Sequence, residues 1–402
     1  MSYPILRCAT AGVAIVGLLV GACVVGMYFL NSETPSLVEG LRCVELGDAA
    51  GVDRIEHTLL KIGAQDEATV LRSAWLVRRT RYQQALNRLT PSMAAGPLRP
   101  HVLRLAGDSL FHLGEFDRAE PLLIQLVAEF PDEVDAHRAL ATMYYDLGSP
   151  ELALKALDQV IRLAPLDYRP HHLAGVMLAD NENFVTAAQQ FRLGLSKAPS
   201  EEVRQMMQRE LAQTLISLRD FQGALDALAG TPSSSATDTQ RAECLWSLGN
   251  AEQAARLVDE VLTTHPENVH ALKLKARFLE DAGQGEQATK LLQRALVTEP
   301  FDLDARYQLV QLYGALGRKE DQATELTEYN RFRELQNRLI ELNQQANSDP
   351  NAEAPRRELV EVCRALGRHK LADMWQKAAE FCTRRQQSRK PQEVLHPSTH
   401  PQ

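Results

Sequence analysis

Apolar and polar positions follow the spacing of amphipathic helices along most of the chain, and the predicted helices come in pairs. Between residues 66 and 330, apolar residues recur three and four places apart, which predicts helices that each bury one face. Prolines stand 34 residues apart at positions 131, 165 and 199, and again at positions 266 and 300. Because proline is poorly tolerated inside a helix, this fixed spacing marks the end of a repeated helix pair.

Small residues occupy two fixed places in nearly every predicted pair. The repeats begin at residues 66, 100, 134, 168, 205, 235, 269 and 303. The eighth place then holds Ser73, Gly107, Ala141, Gly175, Ala212, Ala242, Ala276 and Val310. The twentieth place holds Ala85, Ala119, Ala153, Ala187, Ala224, Ala254 and Ala288, and the last repeat has Gln322 there with Ala323 beside it. Antiparallel helices approach closely only where side chains are small, so these places predict the crossing point of each hairpin.

The turn between the two helices of a pair has its own signature. Glycine ends a helix well because it adopts the left-handed conformation without the strain that a Cβ causes. Most repeats have glycine at this turn, namely Gly114, Gly148, Gly249, Gly283 and Gly317. Two repeats have Glu182 and Arg219 there instead, so the turn is expected at those positions without the residue that favours it.

The period, the two small places and the closing proline resemble the tetratricopeptide-repeat (TPR) family, and the resemblance covers about residues 66–330. It implies an all-α fold, a TPR-like right-handed solenoid of helix hairpins. It also implies a scaffold for protein–protein interaction, whose protein or peptide ligand lies in the concave groove lined by the first helix of each pair.

The segments that flank the array are also expected to be helical. Residues 34–64 predict an N-terminal capping hairpin, and residues 319–347 predict one extended helix. Residues 353–382 predict a C-terminal capping hairpin, in which Trp375 covers the end of the array because no further repeat follows. Residues 383–402 are basic and then proline-containing with few apolar side chains, which predicts a disordered tail.

An uncharged apolar run at residues 8–30 is long enough to cross a bilayer and predicts a single transmembrane helix, a signal anchor, after a short cytoplasmic segment at residues 1–7. Arg7 precedes the run and Glu33 follows it, so the positive-inside rule places the repeats outside the cytoplasm, in the periplasm of a bacterium. An alternative is a lipoprotein signal ending at Cys23, although the apolar residues after Cys23 disfavour it.

The first helices turn their second, fifth, ninth, twelfth and thirteenth places toward the groove, and two of these places suggest a ligand. The fifth place holds Arg104, Arg138, His172, Arg209, Thr239 and Lys273. The twelfth place holds Phe111, Tyr145, Ala179, Ile216 and Trp246. A row of cations beside a partly aromatic row predicts binding of an extended segment with carboxylates and apolar side chains. Alternatively, each cation pairs with an acidic neighbour inside the groove and the aromatic rings pack between repeats.

Composition and motifs limit the classes of ligand and activity that the sequence supports. The formal net charge is −8, from 44 Lys+Arg and 52 Asp+Glu, which argues against a nucleic-acid partner. No phosphate-binding loop, nucleophile elbow or zinc-protease motif occurs, so neither enzyme activity nor a cofactor is predicted. His137, His171 and His172 indicate a metal site as an alternative. His137 and His171, however, occupy equivalent packing places in successive repeats, so we interpret them as buried histidines and predict no metal.

Taken together, the sequence predicts a membrane-anchored TPR scaffold that holds one or more proteins near the membrane. Two alternatives from other classes stay open. One is a lipoprotein that assists assembly or secretion of polypeptides in the bacterial envelope. The other is an enzyme whose site is assembled from residues far apart in the chain, which leaves no local motif.

Overall fold

The computed structural model describes residues 36–389, and every regular element in that part of the chain is a helix. The predicted cytoplasmic segment 1–7, the predicted transmembrane helix 8–30 and the last residues of the predicted tail lie outside the described residues. Among the helices between residues 36 and 389, none combines the length and apolar character that a bilayer span requires. The chain divides into two compact units, residues 1–113 and residues 114–402.

The described part of the first unit packs short helices around one apolar core. Ser36 and Asp48 cap the first two helices through their side chains, which accept hydrogen bonds from the backbone N–H groups of Glu39 and Gly51. Its helices are α1 (Leu37–Leu46), α2 (Ala49–Lys61), α3 (Gln65–Arg78), α4 (Tyr82–Leu86), a 3₁₀ turn (Pro91–Ala95) and α5 (Arg99–His112). The core is formed by apolar residues at helical spacing, including Val52, Ile55, Leu59, Val70, Leu71 and Leu105.

The second unit is a series of antiparallel helix hairpins. Its helices are α6 (Phe116–Glu129), α7 (Val134–Asp146), α8 (Pro150–Leu163), α9 (Arg169–Asp180), α10 (Phe184–Leu195), α11 (Glu201–Ser217), α12 (Phe221–Ala227), α13 (Ser235–Ser247), α14 (Ala251–Thr264), α15 (Val269–Asp281), α16 (Gly285–Thr298), α17 (Leu303–Ala315), α18 (Lys319–Ser348), α19 (Glu353–Ala365) and α20 (His369–Arg389). Each helix packs against its neighbours along the chain. The predicted all-α, TPR-like fold is confirmed.

The places that the sequence requires to be small are buried in the second unit. Ala141 and Ala153 are inaccessible to solvent, and their equivalents in later repeats are buried except Gln322 of the last repeat. Gly175 gives the clearest reason for this requirement, because a Cβ built there would lie 2.7 Å from the ring of Phe191 on the facing helix. Close helix crossing therefore depends on side chains no larger than a methyl group at most of these places.

Turns between paired helices adopt the left-handed conformation whether or not glycine is present. Gly249 has φ +86°, while Glu182 and Arg219 each have φ 60° in the equivalent turns. For a residue with a Cβ, the left-handed conformation costs about 1–2 kcal/mol. The geometry of the hairpin therefore dictates the turn, and these two residues adopt it at the cost that glycine avoids elsewhere.

The C-terminal part of the chain differs from the prediction in two ways. Helix α20 continues to Arg389, so residues 383–389 are helical and the prediction of a disordered tail from residue 383 is wrong for this segment. These residues are ordered because Arg384 and Arg385 pair with Asp117 and Glu120 on α6.

Helix α20 also departs from the expected role of an end cap. Trp375 is 3% exposed, and its ring packs on Gly148 in the turn between α7 and α8. The last helix of the second unit therefore contacts α6 and α7, the first two helices of the same unit.

Candidate partner-binding groove

The predicted groove residues are divided between the two units. Arg104 and Phe111 lie on α5 in the first unit, and the other six lie on first helices of hairpins in the second unit. The second unit therefore carries most of the predicted site, and the groove described below is the face of α7, α9, α11, α13, α15 and α17 within that unit.

Two cations of the fifth place form the same ion pair in different repeats. Arg138 binds Asp167 with Nη2 2.7 Å from Oδ2, and Lys273 binds Asp302 with Nζ 2.7 Å from Oδ2. The partner in each case lies 29 residues later, in the loop before the next first helix. Both acids are largely buried, so the pair ties the first helix of one repeat to the entry of the next. These two cations have a structural role.

Other predicted residues also have partners inside the groove. His172 Nε2 lies 2.7 Å from Glu210 Oε2, and the hydroxyl of Tyr145 donates to Asp180 Oδ2 at 3.0 Å. Burial raises the pKa of Tyr145, and the neighbouring carboxylates raise it further. Trp246 stacks on Phe278 with ring centroids 4.0 Å apart. Tyr145 and Trp246 therefore link successive repeats, as the alternative interpretation of the sequence expected.

Arg209 is different from these residues. In the described part of the chain its guanidinium makes no hydrogen bond or ion pair, while its backbone carbonyl accepts a hydrogen bond from Gln240. Thr239, the next residue of the fifth place, is buried. Arg209 is thus a cation of the predicted row that the described chain leaves available for a ligand.

The largest departure from the prediction is a cavity of about 460 Å³ on the groove face of α13, α15 and α17. Of the predicted residues, Lys273 alone lines this cavity. The lining residues are Glu243, His270, Lys273, Leu274, Arg277, Glu280, Asp304, Tyr307, Gln308 and Gln311. Most of them stand at the second, fifth, ninth or twelfth place of their repeats. The sequence therefore indicates this cavity when the residues at the ninth place of each repeat are considered together with those at the fifth place.

Three groups in this cavity are not fully engaged by the described chain. Arg277 is exposed and makes no hydrogen bond or ion pair with any described residue. Tyr307 is 50% exposed, and its ring contacts that of Tyr329 with centroids 5.6 Å apart. Gln308 Oε1 is buried and has no hydrogen-bond partner among the described residues. The cavity therefore combines a cation, a half-exposed ring and an amide oxygen on one surface.

Opposite charges hold the wall of the cavity in place. His270 Nε2 lies 2.9 Å from Glu243 Oε2. Burial raises the pKa of Glu243, but the hydrogen bond from His270 and the charges of His270, Arg277 and Lys273 outweigh it, so the net pKa is lowered. Glu243 is therefore ionised at neutral pH and already bound to His270. Burial raises the pKa of Glu280 and its neighbour Asp281 raises it further, while the charge of Arg277 lowers it.

The histidines considered as metal ligands have other partners. His137 Nε2 lies 3.0 Å from the carbonyl oxygen of Pro131, and His171 Nδ1 lies 2.8 Å from Gln190 Oε1. Both histidines are buried. Between residues 36 and 389, no cluster of three or more potential ligands has the geometry of a metal site.

Comparison with known proteins agrees with the repeat assignment. One family model described as tetratricopeptide repeat matches residues 76–133, 104–168 and 138–202, and a second model with the same description matches residues 245–312. No curated protein matches the chain significantly.

Solved structures that resemble the chain include other TPR proteins. The protein YrrB, described as a TPR protein with an unusual peptide-binding site, is 17% identical and covers 46% of this chain and 96% of its own, with a TM-score of 0.38. A tetratricopeptide repeat protein from Parabacteroides merdae is 16% identical and covers 61% of this chain and 98% of its own, with a TM-score of 0.41. At these values the likeness carries no information on the ligand.

The family models and the helix hairpins point to the same conclusion. The matched segments include the hairpins α7–α8 and α9–α10, whose crossing points are the small places of the sequence. They also include α15, from which Lys273 and Arg277 reach the cavity. The chain therefore carries tetratricopeptide repeats over residues 76–202 and 245–312, an architecture suited to protein–protein interaction.

Proposed function

We propose that the chain is a scaffold that binds an extended, acidic polypeptide segment along the groove of its second unit, with the cavity between α13, α15 and α17 as the principal site. The observation that carries this proposal is Arg277, a groove cation without an ion-pair partner in the described chain, at the wall of a cavity of about 460 Å³. The proposal keeps the acidic ligand that the sequence predicts and moves its main anchor from the fifth-place row to Arg277.

The chemistry of the cavity fits a peptide in three ways. A carboxylate that binds Arg277 forms a charge-assisted hydrogen bond in a partly enclosed site, where solvent screens the charges less than on an open surface. The amides of Gln308 and Gln311 each offer a donor and an acceptor, which is what the backbone of an extended segment requires. The exposed ring of Tyr307 offers apolar contact to a neighbouring side chain.

Arg209 extends the same site along the groove. Arg209 lies on α11, which is the first helix of the hairpin that precedes α13. Its guanidinium makes no ion pair in the described chain. An extended chain contacts successive first helices in order, so carboxylates along it can bind both Arg209 and Arg277. The cations that are already paired, Arg138 and Lys273, shape the groove rather than bind the ligand.

We further propose that residues 8–30 anchor the repeats to a membrane, with residues 1–7 in the cytoplasm and the repeats on the opposite side. The length of the uncharged run and the charges that flank it support this arrangement. An anchored scaffold keeps its ligand near the membrane. Mass analysis of the mature N-terminus tests the anchor, because lipidation at Cys23 would remove the first 22 residues.

Binding of defined peptides to the full chain in mild detergent tests the groove. Fluorescence anisotropy is measured with three labelled peptides in which valine alternates with glutamate, lysine or glutamine. We expect the glutamate peptide to bind most tightly, and Arg277→Glu to weaken it by about tenfold or more because attraction becomes repulsion. The matched control is Arg256→Glu, which makes the same charge change at an exposed position on the second helix α14.

Two outcomes contradict the proposal. One is a lysine peptide that binds as tightly as the glutamate peptide. The other is an Arg277→Glu variant that binds the glutamate peptide with the affinity of the Arg256→Glu control.

A further inference from the structure

The last helix of the second unit has an unusual position for a helix at the end of a repeat array. Its N-terminal part follows the turn at Gly367, where the ring of Phe301 packs against the glycine. Its C-terminal part lies on α6 and α7. Helix α20 therefore joins two regions of the second unit that are more than 150 residues apart in sequence, from Gly148 to Phe301.

The contact on α6 and α7 combines one apolar anchor with basic side chains. Arg384 Nε lies 2.9 Å from Asp117 Oδ1, and Arg385 Nη1 lies 3.2 Å from Glu120 Oε2. Burial raises the pKa of Asp146 at the end of α7, and the charge of Lys377 on α20 partly offsets this. The last helix thus presents three cations to three acids of α6 and α7.

Gly148 shows that the turn between α7 and α8 is shaped for this contact. It has φ +62°, and a Cβ at this position would clash with the ring of Trp375. The equivalent glycines Gly249 and Gly283 have the same conformation, but a Cβ there would meet open space. At Gly148 glycine is therefore needed twice, for the left-handed turn and for the approach of the indole.

The contact also carries an uncompensated cost. Trp375 Nε1 is buried and has no hydrogen-bond partner among the described residues. A buried donor without an acceptor loses its hydration and gains nothing in return. Ion pairs such as those of Arg384 and Arg385, which stay partly exposed, are weak and are screened by salt. The polar contacts of the seam are therefore weak, and its stability depends mainly on the burial of one indole, that of Trp375.

The same hairpin borders the proposed ligand site. A second cavity, of about 660 Å³, is lined by Lys273, Asp302 and Asp304 of the groove together with Gly367 and Arg368 of the turn before α20. Arg368 also hydrogen-bonds Gln336 on α18. The turn that leads into α20 therefore forms part of a wall of the groove, and Lys273 lines both this cavity and the one lined by Arg277.

We propose that α20 is a reversible clasp, which closes the second unit by docking on α6 and α7 and thereby limits access of an extended segment to the groove. The gating part of this inference rests on the proposed function, whereas the clasp itself rests on the seam alone. When the clasp is closed, an extended segment enters the groove only past the C-terminal hairpin. Release of α20 opens a side entrance.

Hydrogen exchange on the full chain in mild detergent tests the clasp without any ligand. The double variant Arg384→Glu/Arg385→Glu reverses both charges of the seam, and we expect amides of residues 369–389 to exchange about tenfold faster. Adding Asp117→Arg/Glu120→Arg to it should restore slow exchange, which a merely misfolded helix would not show. The matched control, Arg204→Glu/Arg364→Glu, reverses two exposed arginines, one on α11 and one on α19, whose ion pairs each lie within a single helix.

A second pair of variants tests the apolar anchor. Gly148→Ala should speed exchange of α20, whereas Gly249→Ala imposes the same backbone strain in open space and should leave α20 protected. Slow exchange in the Arg384→Glu/Arg385→Glu variant, or failure of the charge-swapped variant to restore protection, would overturn the clasp.

Binding kinetics of the glutamate–valine peptide test the gate separately. We expect the association rate to rise in the open double variant and to return to the original value in the charge-swapped variant. An unchanged association rate with a released helix would overturn the gate while leaving the ligand site intact. If no variant binds the peptide, the proposed function fails and the exchange data alone decide the clasp.

Discussion

Residues 134–180 and residues 243–311 belong to the same array and place cations on the same face, yet their grooves differ. In the first region Arg138 is neutralised by Asp135 and Asp167, and Tyr145 is engaged by Asp180. In the second region Lys273 is neutralised in the same way as Arg138, but Arg277 stays unpaired beside an open cavity. In the first region the cations are paired and α20 packs on α7, whereas the second region contains a cavity lined by Arg277.

The difference shows what decides whether a groove cation is structural or available. A cation at the fifth place reaches an aspartate 29 residues later, just before the next first helix, and the two become an inter-repeat tie. Arg277 stands at the ninth place, where no aspartate of the following loop is in reach. A cationic row at one place of a repeat is therefore ambiguous until the next repeat is taken into account.

The largest effect should come from truncating an aromatic side chain that packs against the first region, compared with truncating one that lines the cavity of the second region. Phe191 is fully buried against Gly175, so Phe191→Ala should lower the free energy of unfolding by about 3–5 kcal/mol. Tyr307 is half exposed in the cavity and contacts one ring, that of Tyr329, so Tyr307→Ala should lower the free energy of unfolding by only about 1 kcal/mol while weakening binding of the glutamate peptide. Urea unfolding and anisotropy measure both. Equal destabilisation by the two variants would remove the distinction between a packed and an open region.

A smaller effect should come from the inter-repeat tie. Asp302 accepts from the backbone N–H of Ala305 as the cap of α17 and also binds Lys273. Asp302→Ala should therefore lower the free energy of unfolding by about 2 kcal/mol, most of it from the lost cap.

Asp304 provides the matched control for this tie. Its side chain is 83% exposed and lies 3.6 Å from the same ammonium group of Lys273. We expect Asp304→Ala to change stability by less than about 0.5 kcal/mol. If Asp304→Ala costs as much as Asp302→Ala, charge alone and not the cap would account for the tie.

The smallest effect should be the pH dependence of the cavity wall. The pKa of Glu243 is lower in the folded chain than its usual 4.5, so its ionised form contributes stability above pH 4.5. This contribution is lost as the pH falls through the lower folded value. Glu243→Gln removes it, so the stability difference between the two proteins should shrink below pH 4.5.

Urea titrations at several pH values measure this contribution. His270→Asn should produce a similar loss, because His270 donates the main hydrogen bond that lowers the pKa of Glu243. The carboxyl group titrates between about pH 3 and pH 6. If the stability difference between the original protein and Glu243→Gln stays constant over this range, the lowered pKa assigned to Glu243 is wrong.

Much of the fold follows from the sequence because it depends on local rules repeated many times. Ala141 and Ala153 had to be small because helices cross there, and both are fully buried. The turns at Glu182 and Arg219 were expected from the repeat alone, and both residues adopt the left-handed conformation despite their side chains. Period and residue size are properties of neighbouring residues, so they can be read along the chain.

The candidate site could be predicted from the sequence only in part. The groove face was identified from the spacing of the second, fifth, ninth and twelfth places, and the cavity residues occupy that face. Sequence could not distinguish Arg138, which has a buried acid beside it, from Arg209, which makes no ion pair in the described chain. That distinction depends on side-chain conformations and on distances between separate repeats.

Sequence by itself determined the helix pairs, their crossing points, their turns and the face that lines the groove, because each depends on residues within about one repeat. The tertiary structure alone decided that Trp375 packs on Gly148, that residues 383–389 form part of a helix, and that Arg277 stands unpaired in a cavity. These features depend on how small angles between successive hairpins add up along the array, and no local pattern records that sum.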